Sequence, residues 1–174
     1  MKTHIVIHHS ATADGSVFNW GAIRRYHTSF RIDGVIVTRD EFERRKAEGL
    51  GVRFEAPWRD IGYHFGLELV GTAWEVIFGR MPEDTGAHCP ELLMNQVGIG
   101  ICVVGNFDAG APGDDVVGKL AVLVKWLMQM YRIPAKNVWG HREAQAAGGV
   151  APEHRKTCPG AKFDMEAFRK ILEG

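Results

Sequence analysis

Residues 97–104 read V-G-I-G-I-C-V-V, apolar from end to end. A half-exposed strand would alternate polar and apolar residues. A run with no polar face belongs in the middle of a sheet, under cover. A second such run, Thr3 to His9, is β-branched and apolar and stops at Ser10-Ala11-Thr12. Residues 61–70 alternate, with Tyr63, Phe65, Leu67 and Leu69 on one side and His64, Gly66 and Glu68 on the other. With Gly71-Thr72 as the turn, 61–79 reads as a hairpin. A short apolar lead-in at 137–139 completes the strands. Between them lie helical patterns. Asn19 caps a helix over 19–28 with Trp20, Ile23, Tyr26 and His27 on one face. Asp114 or Asp115 caps the clearest helix, 115–131, whose core face holds Val116, Leu120, Leu123, Val124, Leu127, Met130 and Tyr131. Asp164 caps a last helix, 164–172, with Met165, Phe168, Ile171 and Leu172 inward. The expected fold is therefore α/β: one domain, a central mixed sheet of 3–9, 61–70, 73–79, 97–104 and 137–139, flanked by helices. Any site is expected at the strand ends.

At 174 residues, 45% hydrophobic and 24% charged, the chain can bury a real core. Lys+Arg and Asp+Glu are both 21, so there is no basic excess of the kind a nucleic-acid binder carries. The apolar stretch 5–7 is too short for a signal-peptide core, and no later segment approaches a membrane span. The chain is expected to be cytoplasmic as synthesised. Three cysteines are an odd number in a chain too long to need staples, so all are read as thiols. Cys102 reads as core and Cys89 as a free thiol in a turn. Residues 35–59 are less patterned. Val35-Ile36-Val37 suits a short strand, and Thr38-Arg-Asp-Glu41 has the capping-box form that starts a charged helix over 39–48. Only Phe42 and Leu50 give that helix apolar grip.

The chemistry concentrates in residues 138–160, V-W-G-H-R-E-A-Q-A-A-G-G-V-A-P-E-H-R-K-T-C-P-G. The composition reads as a strand end delivering His141, then a long loop to Lys156, Thr157 and Cys158. Histidine and cysteine are preferred zinc ligands, and a zinc with an open position is a hydrolytic device. Two ligands make no site. His8, at the end of the first strand, is a third candidate, with His9 facing the other way. Taken singly, each has a bland reading: Cys158 a buried thiol, Lys156 a solvated loop residue, Tyr63 core. His27 reads as a satisfied, half-buried residue. His154 is the rival ligand, read as an exposed loop residue near the site.

Seven pieces in order carry a resemblance: I-H-H-S-A-T (7–12), I-R-R-Y-H (23–27), D-I-G-Y-H-F (60–65), G-A-H (86–88), I-G-I-C-V-V-G (99–105), G-H-R-E (140–143) and K-T-C-P-G (156–160). Together they resemble the zinc-dependent N-acetylmuramoyl-L-alanine amidases, a family that includes small amidase-type bacteriophage lysozymes and the peptidoglycan recognition proteins. The resemblance spans nearly the whole chain and is weakest over 35–59, which looks like an insertion walling the groove beside Tyr63. It implies one catalytic Zn²⁺ on His8, His141 and Cys158, where other members carry Asp in place of the cysteine. It implies Tyr63 and Lys156 as catalytic groups, and His88, with Asn95 and more weakly Arg80, in the substrate groove. The implied reaction is hydrolysis of the amide between N-acetylmuramic acid and L-alanine in peptidoglycan or a muropeptide, by a monomer acting on the cell wall after phage-type release. A module that binds peptidoglycan without cutting it is the alternative. A purely structural zinc would need a fourth protein ligand, such as His154.

Overall fold

The computed structural model describes residues 1–12, 19–49 and 51–174. The chain runs β1 (His4–His9), α1 (Trp20–His27), β2 (Phe30–Ile32), β3 (Val35–Val37), α2 (Arg39–Ala47), β4 (Phe54–Glu55), β5 (Phe65–Val70), β6 (Ala73–Phe78), α3 (Met94–Val97), β7 (Gly98–Val103), α4 (Asp114–Tyr131), β8 (Val138–Gly140), α5 (His141–Ala147) and α6 (Met165–Glu173). Short 3-10 turns occupy Glu91–Leu93, Ala135–Asn137 and Pro152–His154.

The five expected strands form one mixed sheet in the order β6-β5-β7-β1-β8. β1 lies between β7 and β8, parallel to both, and β7 is also parallel to β5; only the edge strand β6 is antiparallel. The uninterrupted apolar runs are explained by cover on both faces. Ile5, Ile7, Ile99, Ile101 and Val103 pack with Leu120, Val124 and Leu127 of α4 and Phe168 of α6. On the other face Val6 joins Met94 and Ala144, and Cys102 joins Trp20 and Ile61. Each fully buried aliphatic of this kind contributes ~1.5–3 kcal/mol. Three of the four predicted caps also form: Asn19 Oδ1 accepts from Ala22 N, Thr38 Oγ1 from Glu41 N and Asp164 Oδ1 from Ala167 N.

Several expectations are corrected. α4 is capped by Gly113, with Asp114 and Asp115 inside its first turn. Met130 and Ile171, expected inward, are 63% and 45% exposed. A helix turns about 100° per residue, which sets both just outside the buried stripe, while Met128, Tyr131 and Leu172 stay on it. β5 begins at Phe65, so Tyr63 and His64 precede the strand. Residues 141–147 form the helix α5, not a loop. Phe42 is buried as expected, whereas Leu50 lies outside the described residues. β2, β3 and β4 make a second, three-stranded sheet in the order β3-β2-β4, of which only β3 was legible as a strand. Among the described residues no helix is long and apolar enough to cross a membrane.

Candidate active site

The carboxyl ends of the parallel strands β1 and β8 converge on one point, the usual place for a site in a sheet of this kind. His8 is the penultimate residue of β1, opposite Cys102 of β7. His141 is the first residue of α5, directly after β8. The G-H-R-E piece builds that junction. Glu143 Oε2 accepts from Gly140 N (2.8 Å) and pairs through both oxygens with Arg169 of α6 at 2.9 Å. Arg142 holds the returning segment: its backbone N donates to Cys158 O (2.8 Å) and its guanidinium to the carbonyls of Thr157, Gly160 and Phe163. Asp108 grips the same turn, accepting from Thr157 Oγ1 and Ala161 N. Gly160 is required there, with φ +121° and a Cβ that would fall 2.6 Å from the Phe107 backbone.

These contacts bring His8, His141 and Cys158 together, all buried, each with one ligand atom within 4.8 Å of the others. Cys158 Sγ stands 3.5 Å from His8 Nδ1. Tetrahedral zinc with Zn–S of about 2.3 Å and Zn–N of about 2.05 Å separates such ligands by about 3.5 Å, so the pair fits the metal without rearrangement. Burial, then the neighbouring His88 and His141, hold His8 well below its ordinary pKa, and burial lowers His141 as well. Both rings are therefore neutral, as ligands must be. Burial pushes the Cys158 thiol up to about 12, against the opposing pull of the His9 backbone, Lys156 and Arg142. That thiol gives up its proton only to a strong Lewis acid.

The other expected residues are placed as follows. Tyr63 stacks at a tilt 5.2 Å from the His8 ring, its hydroxyl held protonated by burial and by Cys102 and Cys158. Lys156 is exposed and, with Tyr63 and His88, lines the pocket over the His8–His141–Cys158 cluster, a cavity of about 390 Å³. A larger groove of about 740 Å³ adjoins it, lined by Trp58, Asn95, Gln145 and Arg31 among others. His88 is mostly buried, with Nδ1 3.1 Å from His8 Nε2, and Gly100 makes room for its ring. Asn95 lines the groove, but its Oδ1 is spent on the backbone N–H groups of His88 and Cys89. Arg80 is not a groove residue: it donates to the carbonyls of Ile61, Thr85 and Asp60. His9 Nδ1 accepts from Phe107 N and stays outside the ligand cluster, as does the exposed His154. His27 Nδ1 accepts from Gly62 N and its ring stacks on Trp58. Cys89 is a free thiol as expected, and all three cysteines are free and buried. Two residues went unnoticed in the sequence. Glu91 carried no local signal; Gln145 lies one helical turn after His141, a signal visible only once α5 is recognised as a helix.

Residues 2–161 match the family described as N-acetylmuramoyl-L-alanine amidase. The chain is 30% identical over 122 residues to an endolysin of Enterobacteria phage K11, covering 68% of this chain and 70% of that protein. In fold it is similar to the endolysin amidase LysCS from Clostridium intestinale URNW, at 24% identity and TM-score 0.64, covering 99% of this chain and 84% of that one. It is also similar to the Y78F mutant of Drosophila PGRP-LB in complex with tracheal cytotoxin, at 22% identity and TM-score 0.60, covering 95% and 79%.

Proposed function

Because the chain belongs to the N-acetylmuramoyl-L-alanine amidase family, we propose that it is an endolysin-like enzyme hydrolysing the amide between N-acetylmuramic acid and L-alanine in peptidoglycan, with Zn²⁺ on His8, His141 and Cys158. The observation that carries this reading is the buried His8–His141–Cys158 cluster, with its 3.5 Å Sγ–Nδ1 separation, opening on a groove. Zinc bound there would polarise the scissile carbonyl and bring a water's pKa down towards ~7. The protein's own groups do the rest. Lys156 brings an ammonium to the oxygen on which negative charge develops, and its charge already reaches both His8 and His141. Tyr63, kept protonated, donates a hydrogen bond at the same oxygen or moves the water's proton. One such donor is worth about 3 kcal/mol of barrier. His88 and Asn95 line the groove that receives the muramoyl-peptide, and residues 35–59 supply part of its far wall.

The test is mass spectrometry of products from defined muropeptides, with and without chelator, on protein whose zinc content is measured. We expect about one zinc per chain and release of the intact stem peptide with a free L-alanine amine. Cys158→Ala takes both zinc and turnover to background. Undiminished hydrolysis by metal-free protein would end the zinc reading. Tight binding of muropeptides that are recovered uncut by zinc-loaded protein would instead leave a peptidoglycan-binding module.

A further inference from the structure

The segment from His88 to Asn95 does more than line the groove. Asn95 Oδ1 pins its start by accepting from His88 N at 2.7 Å and Cys89 N at 2.8 Å. Two consecutive leucines then take left-handed backbone conformations, Leu92 at φ +50° and Leu93 at φ +59°. Side-chain-bearing residues hold such conformations only where the surrounding structure imposes them. The bend does not serve to bury them, for their side chains are 48% and 64% exposed. It delivers Glu91 against the metal cluster. Glu91 Oε2 lies 3.5 Å from His141 Nε2, at the outer limit of a hydrogen bond. That ring nitrogen is buried and makes no hydrogen bond among the described residues, so the Glu91 carboxylate is the group placed to receive its N–H. The carboxylate is itself fixed: Oε2 accepts from Cys89 Sγ at 3.2 Å and Oε1 from Gln145 Nε2 at 3.1 Å. Gln145 Oε1 in turn accepts from Lys156 N at 2.7 Å.

We infer that Glu91 is a positioning residue: its carboxylate takes the Nε2–H of His141, turning Nδ1 to the metal, and Gln145 links the same carboxylate to the backbone of Lys156. The inference rests on the zinc reading above. A metal-bound imidazole is a stronger donor through its other nitrogen, and an acceptor there fixes the ring and raises its basicity. His8 has the corresponding arrangement in weaker form, Nε2 facing the neutral ring of His88 and Nδ1 facing Cys158.

Zinc affinity, read by chelator competition, tests this separately from activity. Glu91→Ala is expected to weaken zinc about 10- to 100-fold while the zinc-free protein melts as the wild type does. Glu91→Gln keeps an acceptor oxygen without the charge and should fall between the two, weaker than wild type by roughly threefold or more. An affinity within twofold of wild type for Glu91→Ala overturns the inference; should that variant not fold, an unchanged affinity in Glu91→Gln does so. A ligand-field spectrum of bound Co²⁺ that changes in Glu91→Gln would make Glu91 a ligand and also overturn it. If the wild type binds no zinc, both readings fall together; if it binds zinc but cuts no muropeptide, the function falls and the affinity series still decides Glu91.

Discussion

The small sheet β3-β2-β4 and the segments that follow the ends of the central strands line one groove, but the two sheets are held in opposite ways. At the end of β1, Ile5, Val6 and Ile7 have no exposed surface, and β7 beside it is equally enclosed. In the small sheet Val35 is 64% exposed and Ile36 39%. Its grip comes from Phe42, packed against Phe30 and Phe54, and from Arg31, whose guanidinium lies 4.3 Å from the Tyr26 ring and 5.5 Å from Trp58. α2 adds surface ion pairs, Glu41 to Arg44 and Arg45 and Glu48 to Arg44. His8 thus stands on the most enclosed part of the molecule. The small sheet on the other side of the groove stands on a few ring contacts.

The most direct way to break this contrast is to cut one buried side chain in each region. Leu67→Ala, in β5, should lower global stability by 2–5 kcal/mol. Phe42→Ala removes a larger side chain, yet its loss should appear as faster amide hydrogen exchange over residues 30–55 with little change at β1 and β7. A matching global loss in both would mean that the two sheets unfold as one. Next in size is Lys156→Ala, which should cost 10²–10³ in kcat, about 3 kcal/mol, with zinc content intact. Loss of zinc would instead make Lys156 part of the frame.

The joint between the regions should titrate. His64 is fully buried, with Nδ1 accepting from Gly100 N and Nε2 donating to Asp84 O. Burial, with the nearby Lys2 and Arg80, lowers its pKa from 6.5 to about 4, and burial with Arg31 and Arg80 does the same for His27. The unfolded chain takes up these protons near pH 6.5 and the folded protein only near 4, so stability falls as pH drops through that window. For His64 the loss approaches 3 kcal/mol, on the order of 1.4 per pH unit. Urea midpoints at pH 7 and 4.5 should differ less in His64→Gln than in wild type; an equal fall would clear His64 of the effect. Smallest of all, Arg44→Ala should leave the urea midpoint nearly unchanged, with any shift shrinking further in high salt, because its partners are on the surface.

What could be read in advance follows the same division. Runs such as 97–104 have no polar face, so composition alone places them inside, and the three side-chain caps declare their helices. The ordered motifs brought His8, His141 and Cys158 to notice before any geometry. α5 was illegible because Ala and Gly around it suggest a loop; its start is fixed by Glu143 reaching back to Gly140 and across to Arg169, a contact made only in three dimensions. Nothing local in the sequence foretells the two aromatic faces that close on Arg31. Glu91 is brought to His141 by two leucines in conformations that leucine does not favour. Met130 and Ile171 sit at the margin of their stripes, where counting residues cannot say which side of the edge they fall on.

His8 and Cys158 approach within 3.5 Å although 150 positions separate them, and His141 joins them from the start of α5, directly after the strand that pairs with β1. During synthesis the growing polypeptide carries one member of the trio for most of its length, gains the second at residue 141 and the third at residue 158. No truncated product ending before Cys158 can assemble the cluster. The parallel pairing that closes it is among the most distant in sequence and hence among the slower steps to form. On the proposed reading, a copy that stops short of Cys158 therefore lacks the complete cluster and is inert.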